Sequence, residues 1–74
     1  MSRTLSQLQP GEAARVVSVG GDASAARRLM DLGLVRGTPV HVIRTAPLGD
    51  PIEVRVRGFM LTLRRAEAEH VGVE

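Results

Sequence analysis

The chain has no cysteine, lysine, tryptophan or tyrosine, and Phe59 is its single aromatic residue. Without thiols it can build no disulfide, thiolate nucleophile or zinc-thiolate centre, a composition suited to a reducing compartment. Without several aromatics it offers no stacking platform for nucleic-acid bases. No apolar run approaches the roughly 20 residues of a membrane span, and Met1-Ser2-Arg3-Thr4 leads into no apolar stretch of the signal-peptide kind, so the sequence reads as soluble and unexported. Catalytic groups are equally scarce. The only general-base candidates of intermediate pKa are His41 and His70, and neither lies in a nucleophile–base motif. Gly20-Gly21 is too short to cradle phosphate and lacks the lysine of a P-loop. Catalytic residues and cofactors are therefore expected to be absent.

What is present is a small, arginine-charged chain. Its 74 residues suffice for one domain, placed at 1–74, and 43% of them are hydrophobic, so a thin core of Val, Leu, Ile, Ala and Met is expected. All ten basic residues are arginine, which accounts for an isoelectric point of about 11.0. The net charge is nevertheless only +2, because eight acidic residues are interspersed with the arginines. A mixed field of this kind gives little phosphate affinity, and no nucleic-acid partner is expected. His70 with Glu67 and Glu69 forms a cluster that reads as a solvated turn rather than as metal ligands. No tight intrinsic site for ferrous iron or zinc is expected, since such sites gather three or more ligands at close spacing.

Periodicity and turn chemistry give an element order. Leu5 and Leu8 precede a Pro10-Gly11 turn, and Glu12 to Val19 reads as a strand with Val17 and Val19 on one face and Val16 on the other. Gly20-Gly21 breaks it, and Asp22 or Ser24 can cap a helix in which Ala25, Leu29 and Leu32 form an apolar stripe widened by Ala26 and Met30. Gly33 ends the helix in the left-handed region, with Leu34 folding back onto Leu29. Pro39 to Thr45 and Ile52 to Arg57 are strands, the second alternating cleanly. Gly58 then permits a reversal into a strand from Met60 to Arg64, with Leu61 and Leu63 inward. One helical turn at Ala66 to Ala68 and a short strand at Val71 and Val73, pairing near the start of the chain, complete the list. Five short strands with one helix inserted after the first make a mainly β fold, a small and partly open barrel.

Two segments stand out as recognition candidates. Pro47-Leu48-Gly49-Asp50-Pro51 is a loop stiffened by proline at both ends, so binding to it loses little conformational entropy. The helix end contributes Arg27, Arg28, Leu32, Gly33 and Leu34, where the arginines are suited to an acidic partner.

Three stretches, Arg28-Leu29-Met30-Asp31-Leu32-Gly33-Leu34, Ala46-Pro47-Leu48-Gly49-Asp50-Pro51 and Leu63-Arg64-Arg65-Ala66-Glu67-Ala68, resemble in order and spacing the FeoA family of small SH3-like domains associated with bacterial ferrous iron uptake. The resemblance runs from Leu5 to Val73. It implies an SH3-like barrel acting as a non-catalytic cytoplasmic accessory of the FeoB-type GTP-binding transporter, recruited to the inner face of the membrane without inserting into it, and leaves self-association open. The family also resembles the C-terminal domain of DtxR-type metal-dependent repressors, which supplies a second reading as a free-standing regulatory or metal-sensing relative.

Overall fold

A computed structural model describes residues 3–74. It contains strands β1 (Arg3–Thr4), β2 (Ala13–Val19), β3 (Pro39–Thr45), β4 (Ile52–Val56), β5 (Phe59–Leu63) and β6 (Val71–Val73). Helix α1 (Ala23–Asp31) lies between β2 and β3, and the short α2 (Arg65–Ala68) between β5 and β6. A single 3₁₀ turn, Leu5–Gln7, follows β1. All pairings are antiparallel, in the order β1-β6-β2-β3-β4-β5, so the sheet curls around the core without closing. The expected mainly β architecture with one inserted helix is present, with six strands rather than five. The extra strand is Arg3–Thr4, which pairs with Val73 and Gly72. Two residues carry too little pattern to announce a strand.

Strict alternation fails where the sheet bends. In β2, Val16 opposes Val73 and Ser18 opposes Gly72, a register shift that lets Val16 and Val19 both reach the core although they lie three residues apart. The expected grouping of Val17 with Val19 is therefore corrected: a bulge flips the faces between them. Gly72 lies opposite this bulge, where a Cβ would meet Ser18 Oγ and oblige that hydroxyl to rotate. A second shift between Val42 and Arg44 keeps Arg44 outward beside Ile43, where strict alternation from the buried Val40 and Val42 would have turned it inward.

Helix α1 begins where Asp22 accepts a hydrogen bond from the Ala25 N–H at 2.8 Å. It ends in a Schellman closure: the Gly33 N–H donates to the Met30 carbonyl at 2.9 Å, the Leu34 N–H to the Leu29 carbonyl at 3.1 Å, and Gly33 has φ +103°. Leu29 and Leu34 are both fully buried, so the closure doubles as a core contact. The buried stripe is narrower than the sequence pattern suggests, since Met30 and Leu32 are exposed. No methionine joins the core among the described residues; Val, Leu, Ile and Ala fill it. The reversal between β4 and β5 also differs in detail. Arg57 leaves the strand and occupies the turn with Gly58, their φ values being +53° and +83°. A two-residue turn with both residues left-handed matches the twist of its strands, which is why the arginine tolerates that conformation here.

Candidate functional site

Residues from the three distinctive segments converge on α2. Arg65, its first residue, reaches into the β3–β4 loop: its backbone N–H donates to Asp50 Oδ1 at 3.0 Å, and its Nε donates to the Gly49 carbonyl at 2.9 Å. Its Nη1 donates to the Ser6 carbonyl at 2.8 Å in the 3₁₀ turn. Glu67 faces the other way. One carboxylate oxygen accepts from the Arg64 N–H at 2.9 Å, fastening the start of α2, while the other accepts from Arg28 Nη1 on α1. Arg28, Glu67, Arg65 and the Gly49-Asp50 loop thus form one relay of polar contacts through α2. Within it each segment supplies a polar partner that another uses.

The loop itself is shaped from within as well. The Gly49 N–H donates to the Ala46 carbonyl at 2.7 Å and the Ala46 N–H to the Pro51 carbonyl at 3.0 Å, with Gly49 at φ +86°. The Asp50–Pro51 peptide is cis. Leu48 stands at the tip of the loop, 97% exposed, although it is a large apolar side chain on a backbone hydrogen-bonded on both sides. An open cleft of about 220 Å³ lies on the α1–α2 side, lined by Ala25, Leu29 and Ala66 with Arg28, Glu67 and His70 adding the polar groups.

The structure divides the expected recognition surface. Arg28 is joined to the Pro47–Pro51 loop through α2, whereas the helix end is not. A Cβ at Gly33 would meet Val56 Cγ1 at 3.5 Å, which places the helix end beside the last residue of β4, while the loop precedes Ile52 at its first. Five residues of strand, about 13 Å, separate them. Leu34, expected both to fold back onto Leu29 and to contribute to recognition, is fully buried, and its place on the recognition surface is corrected to one in the core. Arg27 and Leu32 are exposed. Arg65 and Glu67 are not among the recognition residues the sequence suggests; their signal is the Arg-Arg-Ala-Glu-Ala run, which spacing alone does not connect to Asp50.

The Glu12 carboxyl is held below its ordinary value chiefly by the Gln9 N–H, which donates to Oε1 at 2.6 Å, with Arg3 assisting. Among the described residues no three His, Cys, Asp or Glu side chains gather in a manner suited to a metal ion, and no helix is long and apolar enough to cross a membrane.

The FeoA domain family model matches residues 3–74. The chain belongs to the FeoA domain family. A curated relative, the Fe(2+) transport protein A/Fe(2+) transporter FeoB fusion protein of Porphyromonas gingivalis, is 36% identical over 70 residues, which is 95% of this chain but 8% of that protein. Among solved structures, the FeoA protein from Chlorobium tepidum is 54% identical, with a TM-score of 0.90 over 97% of this chain and 69% of that one. Zinc-complexed Stenotrophomonas maltophilia FeoA, described as an SH3 domain protein, is 37% identical with a TM-score of 0.86 over 97% of this chain and 89% of that one. The fold is accordingly that of the SH3-like FeoA domains. A manganese-dependent transcriptional repressor shares the fold, with a TM-score of 0.90 at 18% identity over 99% of this chain and 40% of that one, a likeness of architecture alone.

Proposed function

We propose that this FeoA-family domain is a non-catalytic cytoplasmic accessory of ferrous iron uptake that binds and regulates a FeoB-type transporter. The observation that carries this reading is the relative in which a domain of this family and a FeoB transporter share one polypeptide: fusion of that kind keeps two parts together that work together. The docking surface is assigned to the Leu48 tip. A contact there orders little that is not already fixed, because Pro47, Pro51 and the Arg65 hydrogen bonds hold the backbone before the partner arrives. Arg27 adds steering towards an acidic surface, and Arg28 is reserved for Glu67.

The test is a titration of the purified protein against the cytoplasmic part of a FeoB-type transporter and against the full-length transporter. Leu48→Asp is expected to fold normally, since its side chain touches little of the protein, and to weaken binding by about tenfold, as loss of a central apolar anchor does. Full affinity in Leu48→Asp would displace the docking surface from the loop; no binding of the parent to either transporter form would overturn the accessory reading itself.

A further inference from the structure

The two edges of the sheet are built differently. Edge strands offer unpaired N–H and C=O groups, and natural sheets blunt them with brevity, charge, proline or bulges. At one edge β1 is only two residues long. At the other, β5 reads Phe-Met-Leu-Thr-Leu, with no charge and no proline, and it pairs with β4 over five consecutive positions from Val56↔Phe59 to Ile52↔Leu63 without a register shift. The two-residue Arg57-Gly58 turn makes Val56 and Phe59 a mutually hydrogen-bonded pair, so Phe59, Leu61 and Leu63 direct their backbone groups to β4. Met60 and Thr62 then direct theirs outward. The same alternation holds two strands away, where Val42 turns from β4 and exchanges hydrogen bonds with Gly11 and Glu12 at 2.8 and 2.9 Å. Phe59, at 70% exposure, and Met60, at 47%, add apolar surface beside those free groups.

Charge selects the occupant. From Arg55 to Arg65 the chain carries four arginines and no acidic residue, with Arg57 at one end of β5 and Arg64 and Arg65 at the other. Among the described residues neither Arg55 nor Arg64 enters a salt bridge. A second copy laid antiparallel on this edge, with Met60 of each copy against Thr62 of the other, would bring Arg57 against Arg65 at both ends of the pair. Like charges at both ends oppose that register, and opposite charges there favour a different strand.

We infer that β5 is a strand-addition site for an extended segment of a partner protein, β-branched and apolar in its middle and acidic at both ends. The added strand takes its affinity from main-chain hydrogen bonds to Met60 and Thr62 and its selectivity chiefly from Arg64, with Arg57 adding its charge although its Nη2 donates to Thr38 Oγ1 at 3.3 Å. This inference does not rest on the transporter reading, which uses the loop at Leu48.

The probe is a synthetic peptide of alternating valine and threonine with glutamates at both ends, titrated into the ¹⁵N-labelled protein. The Met60 and Thr62 amides are expected to shift and to become protected from hydrogen exchange, while Leu48 is unmoved. The same peptide with lysines at its ends is expected to bind at least about fivefold more weakly. Thr62→Pro removes one outward donor at a position where an edge strand tolerates proline, and should abolish binding. Should that variant fail to fold, Arg64→Glu keeps every backbone group and should largely remove the preference between the two peptides, since Arg57 remains at the other end. The inference is overturned if saturating peptide leaves Met60 and Thr62 unshifted, if the shifts fall elsewhere, if Arg64→Glu leaves the preference unchanged, or if the two amides become protected with rising protein concentration alone, which would make a second copy the occupant.

Discussion

Strand β4 enters from one reversal and leaves by another, and the two are held by different means. The Arg57-Gly58 turn is two residues long and closes on the Val56↔Phe59 pair beside it. Its backbone shape follows from strand twist and two left-handed residues, and its long-range contact is a single 3.3 Å donation from Arg57 Nη2 to Thr38 Oγ1. The Ala46–Pro51 loop is longer, and although it has internal hydrogen bonds, its Gly49 carbonyl and Asp50 carboxylate are also taken up by Arg65, far along the chain. A local turn is fixed by its own residues; a long loop exposing an apolar tip needs a fastening from elsewhere. That contrast explains why Leu48 can stand almost wholly in solvent on an ordered backbone.

If both reversals rest on one core, removing core volume should loosen them together. Leu34→Ala, which empties a fully buried position at the helix closure, is expected to cost about 2–5 kcal/mol in urea unfolding and to speed amide exchange at both ends of β4. Exchange changing at one end alone would split the core into separate units. The next effect separates the two reversals. Arg65→Ala leaves the Gly49 and Ser6 carbonyls without their donor and should cost about 1–3 kcal/mol, with increased mobility in the loop and none in the Arg57-Gly58 turn. Equal loosening of both would erase the distinction.

Gly33→Ala is expected to cost about 1 kcal/mol, the ordinary penalty for a side chain in the left-handed region, because the 3.5 Å contact with Val56 Cγ1 is an unstrained one. Unchanged stability would mean that the closure is held by Leu34 burial and not by the glycine. The smallest effect concerns acid. Glu12 has a folded-state pKa below its ordinary value, chiefly through the Gln9 N–H, so its contribution is present above the ordinary carboxylate range and is lost as pH falls through the depressed value. Glu12→Gln should therefore reduce the stability difference between neutral and acidic solution by a small amount, read from denaturant midpoints at the two pH values. An identical pH dependence in parent and variant would remove Glu12 from the account.

Legibility in the sequence followed the range of each interaction. The Asp22 cap, the Gly33 closure and the clean alternation of Ile52, Val54 and Val56 depend on neighbours within a few residues, and each is present. The Val16–Ser18 bulge was not legible, because it is defined by two residues of one strand opposing one of another, and Gly72 lies far along the chain. The candidate site shows the same division. Pro47 and Pro51 announced a stiff loop, but nothing local announced that Arg65 would hold it, that Arg28 would be taken by Glu67, or that Leu34 would be buried while Leu48 was not.

The sequence by itself determined a small β-rich chain with a capped helix, its turns, its lack of thiol chemistry and its family resemblance, since caps, turns and alternation are properties of contiguous residues. Only the tertiary structure decided which of two similar leucines faces solvent, which arginine fastens the loop and which strand is left at the open edge, because each of those depends on segments far apart in the chain being packed against one another.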